Sequence, residues 1–396
     1  MQIDPQEFLM NTYAPYPVTF VKGEGSWLWD DTGKRYLDLL SGIAVTSVGH
    51  CNPTVTKAIT DQVGTLCHVS NLFKNQLAPQ VAQMLNFLIT GEPDLKGKTF
   101  FANSGAEAVE SAIKLARRWG GGKRYKIITA HNSFHGRTFG ALAATGQPVK
   151  QKNFYPMLAG FEYVEFGNIA QLEAACEDPE VAAVLLETWQ GESGVICPSQ
   201  DYIGQVRKLC DQKNILFMVD EIQTGLGRTG KWFGFQHFGV MPDVITLAKA
   251  LGSGMPVGAC WAKQEVADCF KPGDHATTFG GQPLAMSAVK ATLEVMQDEN
   301  VAEKAAQAGL YFYEKLQNIN GIAHVRGKGL LIGIELQNQE SAQVGRQLLQ
   351  AGLVVNAVTP TALRLAPSLL ITRQEIDLAI EIISQVLQAD KVNAIS

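Results

Sequence analysis

From Val55 onward, short apolar runs alternate with stretches in which apolar residues recur every three or four positions. The runs "KTFFA", "YKIITA", "VAAVLLE", "ILFMVD" and "DVITLA" are rich in β-branched or aromatic residues and apolar on both faces. That pattern suits strands of a central sheet covered by helices. Between them, "GAEAVESAIKLARRWG" places Val109, Ala112, Ile113 and Ala116 at i, i+3, i+4 and i+7, one face of a helix. The alternation predicts an α/β layer fold. Before Val55 the chain is rich in turn signals, and Asp31-Thr32-Gly33 between "SWLWD" and "KRYLDLL" predicts a hairpin. After "TTFGGQPLA", long helical stretches lead to the apolar strand "GLLIGIEL" and a helical C-terminus, which predicts a second, smaller α+β domain.

Composition narrows the class. A chain of 396 residues is too long for one simple core, and 46% hydrophobic with 18% charged residues is globular rather than disordered. The net charge of -5, with no basic stripe, gives no reason to expect nucleic acid. No run of about 18 apolar residues predicts a membrane span. The start "MQIDPQEFLM" lacks the basic-then-apolar shape of a signal peptide, so cytoplasmic residence is expected. Seven widely spaced cysteines without a C-x-x-C argue against a disulfide framework or zinc ribbon and for reduced thiols.

Three motif-like stretches fail on context, and a fourth motif is missing. "GEPDLKGKT" has five residues between glycines where a P-loop needs four, and it precedes a strand. "HNSFH" spaces His131 and His135 by four but lacks the zincin glutamate, so no metal is expected. No G-x-S-x-G nucleophile elbow occurs. "GLGRTG" fits G-x-G-x-x-G, but two acids precede it and the aromatic, glycine-rich "KWFGFQHFG" follows, a poor helix start for a dinucleotide turn.

Three other stretches carry chemistry together. "FANSGAEAVESAIK" runs from a strand through Ser104, Gly105 and Ala106 into a helix, whose first N–H groups favour an anion. A plain serine cap with Glu107 is the competing reading. In "DVITLAKALGSG", Lys249 follows a strand, where partial desolvation frees an amine for Schiff-base chemistry; a snorkelling lysine competes. In "FMVDE", Asp220 and Glu221 face opposite ways, one toward a ligand; a solvated pair competes. A phosphate cradle, an amine and a carboxylate at successive strand ends are the parts of a pyridoxal phosphate site.

"SGIAVTSVGHCNP", "FANSGAEAVESAIKLAR", "SFHGRTFGALAATG", "QGESGV", "VDEIQTGLGRTG", "LAKALGSGMPVGA", "TTFGGQPLA", "VRGKGLLIGIEL" and "LRLAPSLLIT" occur in an order that resembles the class III, fold-type I, pyridoxal-phosphate aminotransferases over nearly the whole chain. Within that family the resemblance is strongest to members acting on N2-acetylornithine. It implies a segment 1–54 packing with the small domain, a large cofactor-binding α/β domain 55–281 with a mostly parallel sheet, and a small α+β domain 282–396. It implies a homodimer with shared active sites, and an amine donor and 2-oxoglutarate as substrates.

By the same resemblance, Lys249 forms the imine and shuttles the proton, and Asp220 pairs with the pyridine nitrogen. Gln223 lies near the ring hydroxyl, Phe134 stacks on the ring, and Ser104, Gly105 and Ala106 hold the phosphate. Thr278 reaches the neighbouring subunit's phosphate, and Thr277 touches substrate. Arg137 pairs with the acetylornithine α-carboxylate and the distal carboxylate of 2-oxoglutarate. Arg364 grips the α-carboxylate of glutamate or 2-oxoglutarate, and Glu192 neutralises Arg364 while the amine donor is bound. Trp189, Ser193, Ser253 and Gln282 depart from the family pattern, and Trp189 puts the pocket's shape in question. Ile43 stands where ornithine aminotransferases carry a tyrosine, which favours a blocked α-amino group. The competing functions are another ω-aminotransferase (succinyl-diaminopimelate, ornithine or 4-aminobutyrate), an NAD-dependent dehydrogenase built on "GLGRTG", and a non-catalytic binding protein.

Overall fold

A computed structural model describes residues 8–92 and 95–393. The first seven residues, part of the stretch read for a leader, lie outside it, as do Pro93 and Asp94 of the P-loop-like stretch. The strands are β1 (Phe20–Glu24), β2 (Trp27–Asp30), β3 (Arg35–Asp38), β4 (Gly97–Ala102), β5 (Lys126–Ala130), β6 (Phe161–Val164), β7 (Val181–Glu187) and β8 (Leu216–Asp220). They continue with β9 (Val244–Leu247), β10 (Gly258–Lys263), β11 (Ile322–Lys328), β12 (Leu331–Leu336), β13 (Leu353–Val354), β14 (Asn356–Ala357) and β15 (Ala362–Leu365).

Seven strands form the central sheet in the order β4-β10-β9-β8-β7-β5-β6. Five of them pair in parallel, and β10 alone runs antiparallel, to both β4 and β9. Alternation explains the apolar runs. On β7, Val181, Val184 and Leu186 join one buried cluster, while Ala183 and Leu185 join another on the opposite face. Helix Tyr202–Lys213 covers the first face, and helix Gly105–Trp119 the second. Val109, Ala112, Ile113 and Ala116 are all buried, as their spacing predicts. This architecture is the fold-type I arrangement expected from the sequence. Strand β10 was not foreseen, because "GACWAK" lies directly behind the glycine-rich turn after Lys249.

The predicted hairpin forms: β2 and β3 pair antiparallel across Asp31–Lys34. Strand β13 then joins β3 in parallel, so the N-terminal strands share a sheet with the C-terminal part. A second four-stranded sheet, β11-β12-β15-β14, is antiparallel throughout. Among the described residues, no helix is long and apolar enough to cross a membrane.

The loop after β8 shows why "GLGRTG" is no dinucleotide turn. Glu221 is buried, not solvated: it accepts from Thr224 Oγ1 at 2.6 Å and from the N–H groups of Gly234 and Phe235 at 2.9 Å each. Burial pushes its carboxyl up to about 7 against those three donors. Gly227 and Gly230 adopt φ 88° and 90°, and the segment ahead, Gly234–Phe238, is a single 3-10 turn. The fully buried Arg228 donates to Leu330 O, Pro367 O and Ser47 Oγ, tying this loop to the C-terminal part.

Candidate active site

Ligands bind open α/β sheets beyond the carboxyl ends of the strands, and here several functional groups converge there. Glu187 and Asp220 end β7 and β8 as register partners. Lys249 follows β9, and Ser104 lies where β4 passes into helix Gly105–Trp119. A cavity of about 410 Å³ is lined by Ser104, Gly105, Ala106, Phe134, Arg137, Glu192, Asp220, Gln223 and Lys249.

Ser104 caps the helix and also lines the cavity. Its Oγ accepts from Glu107 N–H at 3.2 Å. Glu107 in turn accepts from the Asn103 N–H at 2.9 Å. Ala108 donates to Ser104 O, which leaves the preceding N–H groups of Gly105 and Ala106 without an intrahelical acceptor. A Cβ on Gly105 would sit 2.9 Å from Ile222 Cδ1, so glycine lets the helix start seat against the cavity wall.

Asp220, in the same cavity, is buried and oriented on both oxygens. Oδ1 accepts from Ile222 N–H at 3.0 Å, and Oδ2 pairs with His135 Nδ1 at 2.8 Å. His135 is itself buried, and its Nε2 has no hydrogen-bond partner among the described residues. The second histidine of "HNSFH" therefore serves a carboxylate; among the described residues no group of His, Cys, Asp and Glu could hold a metal. Glu187 accepts from Phe134 N–H at 3.1 Å and Gly191 N–H at 3.4 Å, joining two cavity loops. Burial pushes its carboxyl up to about 7.

Lys249 takes φ 44°, the left-handed region that a lysine rarely occupies, and such strain gathers at functional sites. Among the described residues, no hydrogen bond or ion pair holds its amine. Burial, then the charge of Arg364, lowers it to about 8, opposed by Glu192, Asp220 and Glu187. The free base, which is the nucleophile, accumulates as pH rises through that value. Cofactor uptake by the apoprotein is accordingly expected to accelerate through one ionisation near pH 8 and then level off; stopped-flow absorbance would read it. A rate still climbing beyond the ordinary lysine value would contradict this.

Arg364 is fully buried on β15. Nη1 contacts Glu192 Oε1 at 2.6 Å and Gln223 Oε1 at 3.2 Å, and Nη2 contacts Asn356 Oδ1 at 2.7 Å. Burial alone would raise the Glu192 carboxyl, but the Arg364 charge and hydrogen bond outweigh it and hold it below its ordinary value. Arg137 has no ion-pair partner among the described residues, and its guanidinium lies 5.7 Å from the Phe134 ring centre. A second cavity of about 710 Å³ shares Phe134, Arg137, Glu192 and Lys249 with the first and is walled by Ile43 and Lys150.

Thr277 and Thr278 are not brought to this cavity. They line a separate concavity, with Thr277 Oγ1 accepting from Asn103 Nδ2 at 2.9 Å. The departures from the family pattern also stand apart from the cavity's lining. Trp189 packs against His237 and Phe238, Ser193 donates to Asn132 O, and Gln282 accepts from Val69 N–H. Ser253 takes φ 44° beside the lining residue Gly254. Glu187, Asn356 and Lys150 escaped the sequence reading, and His135 was weighed there only as a metal ligand. Only His135 gave a signal, as the neighbour of Phe134.

The family model for aminotransferase class-III matches residues 9–387. The chain belongs to the class-III aminotransferases. It is 48% identical to acetylornithine aminotransferase of Caldanaerobacter subterraneus over 96% of this chain and 98% of that protein, and 46% identical to the Nitrosomonas europaea enzyme of the same name, over 96% and 97%. Among solved structures, the ornithine aminotransferase of Toxoplasma gondii superposes with a TM-score of 0.93 at 33% identity, covering 99% of this chain and 94% of that one. That crystal showed partial occupancy of PLP at its active site. Acetylornithine aminotransferase of Elizabethkingia anophelis gives 0.85 at 33% identity, covering 97% of each. As an aminotransferase of this class the chain uses pyridoxal phosphate, and its residues fit that group. One cavity brings together free helix N–H donors, an oriented carboxylate and an amine without a hydrogen-bond or ion-pair partner among the described residues.

Proposed function

We propose that this class-III aminotransferase transfers the δ-amino group of N2-acetyl-L-ornithine to 2-oxoglutarate. The products are N-acetyl-L-glutamate 5-semialdehyde and L-glutamate, a step of arginine biosynthesis. The observation that carries this reading is the Arg364–Glu192 ion pair, 2.6 Å, in one site with Arg137 and Lys249. A diacid needs two cations. A donor with one carboxylate needs only Arg137, and Glu192 then satisfies Arg364.

When bound, pyridoxal 5'-phosphate supplies an electron sink for the carbon that bears the amine. Ser104, Gly105 and Ala106 would hold its phosphate, Phe134 would cover its ring, and Asp220, braced by His135, would pair with its pyridine nitrogen. Gln223 lies near the ring hydroxyl and supports Arg364. Lys249 anchors the cofactor and moves the proton at the substrate carbon. Arg137 takes the donor's α-carboxylate in a bidentate fork, and Arg364 takes that of 2-oxoglutarate.

The same reading has a cytoplasmic homodimer, with units divided near residues 54 and 281. Thr278 reaches across to the partner's phosphate, and Thr277 reaches substrate there. Exposed Leu72, Phe73 and Phe279 around the Thr277–Thr278 concavity support self-association.

A panel of N2-acetylornithine, ornithine, succinyl-diaminopimelate and 4-aminobutyrate, each with 2-oxoglutarate, tests the donor. N2-acetylornithine is expected to give the highest kcat/KM, and a higher value for any other donor overturns the assignment. In Arg137→Ala, the donor KM is expected to rise roughly ten- to a hundredfold, the value of one charged hydrogen-bonded contact. Cofactor absorbance should be unchanged, and an unaltered KM would count against Arg137.

A further inference from the structure

The geometry points to Lys150 as a specificity-determining residue that, with Arg137, selects donors whose α-amino group is acylated and excludes those with a free α-ammonium. This rests on the reading of the site as one for N2-acetylornithine and adds the residue that enforces the choice. Lys150 belongs to the short helix Pro148–Gln151 and is half-buried. Its Nζ lies 5.8 Å from the Phe134 ring centre, and the Arg137 guanidinium lies 5.7 Å from the same centre, so two cations flank one ring. Both line the cavity of about 710 Å³ that opens onto Lys249.

Neither charge is neutralised. Among the described residues, the Lys150 amine hydrogen-bonds only to the neutral Gln147 Oε1. The acid of this cavity, Glu192, is already engaged by Arg364. Burial, together with the charge of Arg137, lowers the Lys150 amine below its ordinary value even though Glu192 opposes it. Most of the remaining wall is apolar: Ile43, Leu142, Phe139 and Phe154 offer no side-chain acceptor to an ammonium, and Thr12 and Tyr13 add only neutral hydroxyls. Ile43 is held there by a left-handed turn with φ 67°. That turn is anchored by Asp38 Oδ1, which accepts from the N–H groups of Leu40 and Ser41.

A donor whose ω-amine reaches Lys249 extends its α-carbon into this region. The planar fork of Arg137 matches the α-carboxylate, while the three rotatable donors of Lys150 suit the acyl carbonyl oxygen. A free α-ammonium would add a positive charge beside Lys150, whose own charge has no acid partner among the described residues, while Arg137 is taken by the carboxylate. Discrimination by repulsion of the wrong ligand accompanies attraction of the right one.

The test compares holoenzyme carrying Lys150→Met, which keeps the stem and loses the charge, with Lys150→Arg, which keeps the charge. One readout is the ratio of kcat/KM for N2-acetylornithine to that for ornithine. The second is the Kd of N-acetyl-L-norvaline, which lacks the reacting amine, by calorimetry. Removing one charge a few ångströms from the ligand in a partly hydrated site is expected to lower the ratio and weaken the analogue about tenfold each, with Lys150→Arg within about twofold of the parent. A ratio unchanged in Lys150→Met, or both donors falling alike, overturns the proposal, and Lys150→Gln repeats the comparison should Lys150→Met fold poorly. A parent protein that prefers ornithine would instead overturn the proposed donor.

Discussion

Replacing Lys249 by alanine is expected to cut turnover by about 10⁴-fold or more, because one side chain supplies both the covalent anchor and the proton carrier. The visible absorbance of lysine-bound cofactor should vanish in the same variant. The fold should survive: the side chain has no partner among the described residues, and its neighbours Ala250 and Leu251 hold the buried core. Alanine relaxes neither the φ of 44° nor the strand end before it, so a loss of activity reports chemistry rather than unfolding. Circular dichroism and absorbance on one sample check both halves of the statement. An unchanged absorbance band would remove Lys249 from the mechanism.

Arg364→Ala is expected to act next most strongly, and unequally on the two halves of the reaction. Removing the guanidinium strands Glu192 Oε1, Gln223 Oε1 and Asn356 Oδ1 at once. Breaking a buried ion pair costs about 3–5 kcal/mol, and the half-exposure of Glu192 places this one toward the lower end. In Arg364→Ala, Glu192 and 2-oxoglutarate would present like charges with no cation between them. The KM for 2-oxoglutarate should therefore rise about a hundredfold or more, while the donor half-reaction changes much less. Single-turnover measurement of each half separates the two effects; equal losses in both would argue that Arg364 is structural.

The sequence made the sheet legible where burial on both faces leaves an unbroken apolar run, as in β7 and β8. It made the site legible where chemistry sits at a strand end: Asp220, Lys249 and Ser104 could be singled out from the residues before them. Strand β10 was hidden because its antiparallel run begins inside a glycine-rich turn. The left-handed turn that sets Ile43 was hidden because no local residue pattern announces it. His135 could not be joined to its partner Asp220, because the two are 85 residues apart, a distance that no motif spans. The burial of Glu221, which sets aside the competing solvated-pair reading, was hidden because its donors Gly234 and Phe235 return to it only through the loop. Arg364 needed family motifs to be found, since the contacts that distinguish it from a surface arginine, to Glu192 and Gln223, cross 172 and 141 residues.

The central claim is that one cavity takes a blocked diamine and a diacid in turn, with Glu192 closing on Arg364 for the first and releasing it for the second. Initial rates measured against N2-acetylornithine at several fixed concentrations of 2-oxoglutarate test it directly. Alternating use of one site predicts parallel double-reciprocal lines, with each substrate inhibiting competitively against the other at high concentration. Lines that intersect would mean both substrates are bound together, and would contradict the shared site.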